Sequence, residues 1–213
     1  MRVLGRWLLW SAIALGVLVG VLRATAIRWW QIPAEDPYLD ASLAPSFRGG
    51  DWILLWRLTP PTIGNLAVCP EPKHPERITI ARMVAEERQT VHVEGTNVTV
   101  NDKPFTYEGD CVEERFKITP PQGGAEVEEH CKLEVAGGVI HMRGDADGTA
   151  DAAALDLTLK EGEVALVSDN RRYPYDSRDY GPVERKTCKE IPFFRLVGAG
   201  GFFDTARRFQ YVR

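Results

Sequence analysis

Ser168-Asp169-Asn170-Arg171-Arg172-Tyr173-Pro174-Tyr175-Asp176-Ser177-Arg178-Asp179-Tyr180-Gly181-Pro182-Val183 lies between two apolar, strand-like runs, residues 164–167 and 191–197. A dense polar loop between apolar strands must find a partner for every buried donor and acceptor. In one reading it is a structural corner in which Asp169, Asp176 and Arg178 pair with each other. In the other it is an active-site loop, because loops held by a rigid scaffold often carry chemistry. Composition alone gives the corner more weight.

Working outward, the chain has 213 residues, 44% of them hydrophobic and 26% charged. Those are ordinary globular proportions, and the length suits one anchored domain with an inserted lobe. Residues 1–28 hold four arginines and no acid; the whole chain is −4, so residues 29–213 carry −8. That acidity argues against nucleic acid or anionic lipid as the principal partner. Cys69, Cys111, Cys131 and Cys188 show no C-x-x-C spacing, which argues against zinc. Outside the cytoplasm, one or two disulfides are allowed. Cys111 and Cys131 share a region and are the better-placed pair, although spacing does not fix the pairing. Asp145-Ala146-Asp147-Gly148 hints at a calcium loop but lacks the bidentate glutamate, so it reads as a plain turn. No cofactor or metal is expected.

Arg2 and Arg6 precede an apolar run from Trp7 to Leu22, followed by Arg23. Sixteen residues at ~1.5 Å each fall slightly short of a ~30 Å hydrocarbon core. Extending the helix to Ile27, with Arg23 snorkelling, closes the gap and puts Trp29 and Trp30 at the interface. Ala24-Thr25-Ala26 has the form of a cleavage site, so a cleaved secretory signal competes with an anchor. Trp52 to Trp56 alternates as a strand, with Trp52, Leu54 and Trp56 on one face and Ile53, Leu55 and Arg57 on the other. Val91 to Asp102 also alternates, with an Asn101-Asp102 turn. Gly-Gly pairs at 123–124 and 137–138 mark turns.

The polar stretch resembles the last motif of bacterial type I signal peptidases, G-D-N-R-x-x-S-x-D-S-R-x-x-G-x-V. Asp169, Asn170, Arg171, Asp176, Ser177, Arg178, Gly181 and Val183 match; Ser168 and Pro174 depart. Ser42-Leu43-Ala44-Pro45-Ser46-Phe47-Arg48-Gly49-Gly50-Asp51 is similar to the family's serine motif S-M-x-P-T-L-x-x-G-D, with Ser42, Pro45, Gly50 and Asp51 in place. Arg77 to Val91 resembles Y-I-K-R-V-V-G-L-P-G-D-x-V, with Arg82 and Val84 in register. The resemblance covers residues 1–104 and 158–198. It implies a mainly β fold: a coiled antiparallel β-sheet domain (29–104 and 158–213) with an inserted cap lobe (105–157). A single N-terminal transmembrane anchor (1–28) carries it on the extracytoplasmic side of the plasma membrane.

By the same resemblance the protein is a serine endopeptidase that processes signal peptides of exported preproteins. Ser42 is the nucleophile, and Asp169, Asn170, Arg171, Asp176 and Arg178 support the loop. The family uses a neutral lysine as base, because a serine hydroxyl is a poor nucleophile until its proton is taken. That position is Ala81 here, and the serine that hydrogen-bonds the lysine falls at Pro174. Arg82 cannot stand in, because guanidinium does not deprotonate in proteins. Loss of a catalytic group of this kind costs ~10⁴–10⁶ in kcat. Asp40, Lys73 and His74 are the remaining candidate bases. Three readings stay open: a peptidase with a relocated base, a protease-dead homologue that binds exported segments or a partner, and a cleaved, secreted binding domain.

Overall fold

The structure, a computed structural model, describes residues 2–145 and 153–212. Of the Asp145–Gly148 turn, residues 146–148 lie outside the described residues.

An apolar run with no proline forms α1 (Arg2–Thr25), which leads through Ala26 alone into β1 (Ile27–Gln31). Among the described residues no helix is long and apolar enough to cross a membrane, so the fold does not establish the expected transmembrane helix. Asp36 caps α2 (Pro37–Leu43), its carboxylate accepting from the Tyr38 and Leu39 amides, and Pro37 starts the helix where no donor is needed. Next come β2 (Trp52–Trp56), β3 (Leu66–Pro70), β4 (Ile78–Glu86), β5 (Thr90–Glu94), β6 (Asn97–Val100) and β7 (Lys103–Pro104). Then follow β8 (Thr106–Ile118), β9 (Val127–Ala136), β10 (Val139–Asp145), β11 (Leu155–Thr158) and β12 (Glu163–Val167). The chain ends with α3 (Ser177–Tyr180), β13 (Val183–Glu184), β14 (Ile191–Val197) and β15 (Arg208–Tyr211).

The fold is mainly β. Among the described residues its strands pair antiparallel in four small sheets, ordered β1-β2-β14-β15, β13-β12-β4-β3, β11-β5-β6-β7 and β10-β9-β8. Isolated bridges stitch sheets together: Val68 pairs with Glu190, and Gly144 with Asn170. The main core packs α2 on the sheets through Leu39, Leu43, Phe47, Ile53, Leu55 and Ile80.

Three details sharpen the sequence reading. In β2, Ile53 and Leu55 are the core face, whereas Trp52 is 44% exposed. The run 91–102 is two strands, because Gly95 adopts φ 57° and turns the chain. At its end Asn101 and Asp102 both have positive φ, 49° and 62°, as a tight hairpin turn demands. Strands β8 to β10 form their own sheet, while β11 returns to pair with β5.

Two disulfides form. Cys111–Cys131 ties β8 to β9, and Cys69–Cys188 ties β3 to the segment ahead of β14.

Candidate functional site

Ser42 sits in the last turn of α2 and is 1% exposed. Its hydroxyl donates to the Leu39 carbonyl at 3.3 Å, and its own carbonyl accepts from the Asn170 amide at 3.0 Å. The polar loop therefore grips the Ser42 segment through its backbone. A cis peptide bond precedes Pro45. Gly50 has φ 84° and sits where an added Cβ would lie 3.0 Å from the Ala199 Cβ, so this position favours glycine. Asp51 is fully buried and accepts from the Arg48 amide, Arg195 and Arg207.

Arg82 and Asp169 form a buried, two-pronged ion pair, with both N···O distances at 2.7 Å. Ser46 donates to the same carboxylate at 2.5 Å, and Arg82 also reaches the Gly64 carbonyl. Burial alone would raise the Asp169 pKa, but Arg82 outweighs it and holds the carboxyl below its ordinary range. The corner reading had Asp169 pairing inside its own loop. The structure instead sends it across to β4 and leaves Asp176 to pair with Arg178. Asp176 also accepts from the Ser168 amide, and Asp176 and Asp179 form a reciprocal capping box at α3. Arg171 is fully buried and ion-paired to Glu134 of β9 at 2.5 Å. The Asn170 side chain accepts from the amides of Arg172 and Tyr173 and donates to Glu129 at 3.0 Å.

Ala81, the expected counterpart of the family's lysine, pairs with Ala67 and is fully buried among Cys69, Met83, Leu166 and Tyr180. Tyr175 packs against this cluster. The Tyr175 hydroxyl donates to Glu71 at 2.8 Å and accepts from Arg77 at 3.1 Å. Burial first, then the Glu71 contact, pushes its pKa up to about 12. Its ring lies 5.6 Å from that of Tyr38. Pro174 lines a cleft of about 700 Å³ beside these rings.

None of the three candidate bases is bonded to Ser42. Asp40 is held by Arg48 at 2.9 Å and by the Gly49 amide. Lys73 donates to the Asp179 carbonyl, and His74 faces Glu76 at 3.5 Å. Among the described residues, no carboxylate, amine or imidazole hydrogen-bonds the Ser42 hydroxyl.

Sequence reasoning missed Glu129. It is fully buried on β9, with one oxygen on Asn170 and the other without a partner. Burial pushes its pKa up to about 7, against the pull of Arg172 and the Asn170 hydrogen bond. Nothing in Val127-Glu128-Glu129 marks the second acid as the buried one; only the strand's orientation does.

The linkage has a definite sign. An acid whose folded pKa exceeds its ordinary 4.5 keeps its proton longer in the fold, so it destabilises increasingly as pH climbs from there to about 7. At ~1.4 kcal/mol per pKa unit, the ceiling is about 3 kcal/mol. Glu129→Gln is therefore expected to raise Tm at pH 8 by several degrees and to change it little at pH 4.5. Thermal melts at both pH values check this, and equal shifts at both would refute it.

Comparison with known proteins agrees with the geometry. The chain is 29% identical over 184 residues to Signal peptidase I of Aquifex aeolicus (strain VF5), covering 72% of this chain and 71% of that protein. Residues 4–194 match the family described as Signal peptidase, peptidase S26. A match over that much of the chain, with the Ser42 segment held against the Asp169–Arg178 loop, places this protein in the signal peptidase family S26.

Proposed function

We propose that this protein recognises signal-peptide segments of exported preproteins from a membrane-anchored position on the extracytoplasmic side, and that it does so without efficient hydrolysis. The observation that carries the second half is the packing around Ala81. Ala81, which the resemblance puts at the family's lysine position, lies in a closed apolar cluster capped by Tyr175, and the Ser42 hydroxyl hydrogen-bonds a helix carbonyl and no basic group among the described residues. Family membership supports the substrate class. Two disulfides fit an oxidising, extracytoplasmic setting. The anchor reading is supported by α1, whose Leu9, Ile13, Leu15, Leu18, Val19 and Leu22 are all exposed. So many exposed apolar side chains on one helix favour a non-aqueous environment.

The test is cleavage of a fluorogenic signal-peptide substrate by detergent-purified protein, with Ser42→Ala alongside and binding followed by anisotropy. The expected result is binding, with turnover no higher than in Ser42→Ala. Turnover that disappears in Ser42→Ala would instead establish the endopeptidase, with Ser42 as nucleophile and a base recruited on substrate binding.

A further inference from the structure

The cleft beside Pro174 is unusual for this acidic chain. Its wall carries three guanidinium groups, Arg77, Arg172 and Arg178, interleaved with the rings of Tyr38, Tyr173 and Tyr175. Tyr38 lies four residues before Ser42, so both occupy one face of α2. The cleft thus opens one helical turn from the Ser42 segment.

The three cations are compensated unequally. Arg178 is committed to Asp176 in two-pronged fashion, yet its remaining terminal nitrogen is buried with no acceptor. Arg77 donates to the Tyr175 hydroxyl and stands 3.5 Å from Glu71. Arg172 makes no ion pair among the described residues; its guanidinium lies 5.2 Å above the Tyr173 ring. A guanidinium stacked on an aromatic face keeps its donor edge free, and that fork matches a carboxylate. Among the described residues, Asp179 is the one acid on the same wall. Its charge opposes a doubly charged phosphate more than a singly charged carboxylate. A volume of about 700 Å³ suits a short peptide segment.

We propose that this cleft binds an acidic side chain of the polypeptide held at the Ser42 site, with Arg172 and Arg77 as the recognising cations. The Tyr38, Tyr173 and Tyr175 rings flank the segment that carries the acid. This rests on the recognition reading above and deepens it: the preferred partner is an exported segment with an aspartate or glutamate close to its small-residue site.

The probe is a fluorescein-labelled twelve-residue peptide containing an Ala-x-Ala site followed by Asp-Glu, compared with its Asn-Gln counterpart. Binding to the full detergent-solubilised chain is followed by anisotropy. The acidic peptide is expected to bind roughly tenfold tighter at low salt, as one charge-assisted contact provides, and the preference shrinks at high salt. Arg172→Gln removes the preference and, at pH 5 where Glu129 keeps its proton, leaves Tm unchanged, since that side chain makes no hydrogen bond in the fold. Arg172→Glu reverses it in favour of a Lys-Lys peptide. Equal binding of the acidic and amide peptides would overturn the inference and leave the recognition reading standing. Failure of both peptides to bind would overturn both. Equal peptide binding together with Arg172-dependent capture by phosphatidylglycerol vesicles would overturn it in favour of a lipid headgroup.

Discussion

Asp169→Asn is expected to lower the unfolding free energy by about 3–5 kcal/mol, the usual cost of stripping one partner from a buried ion pair. Arg82 and Asp169 are both fully buried, and two 2.7 Å hydrogen bonds join them. Without the carboxylate, the Arg82 charge stays inside and loses its two-pronged acceptor, while its bond to the Gly64 carbonyl remains. The Ser46 hydroxyl keeps an amide oxygen, so the loss falls mainly on the charge. The double variant Arg82→Met with Asp169→Leu tests whether charge is the cause. Removing both ions replaces a desolvated pair with apolar packing, which is often close to neutral. It is expected to recover more than half of the single variant's loss. Urea unfolding followed by tryptophan fluorescence gives both numbers. A double variant no better than the single would mean that shape, and not charge, holds the corner. The pH dependence has a matching sign. The Asp169 carboxyl is held below its ordinary 3.8, so its contribution is complete above that value and is lost as pH falls through the depressed one.

Removing the Cys69–Cys188 bridge, as Cys69→Ala with Cys188→Ala, is expected to cost about 4–5 kcal/mol. The two cysteines are 119 residues apart, and a cross-link restricts the unfolded chain more as the loop it closes lengthens. Both are buried beside Ala81 and Met83, so alanine also removes core contact. The Cys111–Cys131 bridge closes a separation of only 20 residues, and its removal is expected to cost nearer 3 kcal/mol. For a chain of this length, 1 kcal/mol moves Tm by about 2–4 °C. The first pair should therefore lower Tm by roughly 10–15 °C, visibly more than the second. Scanning calorimetry of the two double variants in the absence of reductant settles the order. A larger drop for Cys111–Cys131 would show that the outer sheet, and not the body, limits stability.

Much of this could be read from the residues because local chemistry dictated it. The Asn101-Asp102 turn and the Gly50 position follow from backbone sterics, and alternation in β2 located the strand. The polar loop and the serine segment were legible as motifs. What stayed hidden depends on contacts between distant residues. Asp169 has a partner on β4, and no spacing rule connects positions 87 apart. The choice between Ile53 and Trp52 as the buried face needed the sheets in place. Cys69 and Cys188 carry no pairing signal, because one lies within β3 and the other in the segment ahead of β14. Glu129 looks identical to Glu128 until β9 is oriented. Tyr175 was in plain view next to Pro174, but its role depends on the small side chain at Ala81.

The junction between α1 and β1 has a mechanical meaning. One residue, Ala26, separates them; its amide bonds back to Leu22, and its carbonyl accepts from Arg57 of the sheet region. Helix and sheet are thus welded and not tethered. With α1 in a bilayer as proposed, the junction restrains how far the domain can swivel to meet its partner, and so restrains the bearing of the cleft mouth. More of the turning then falls to the incoming chain.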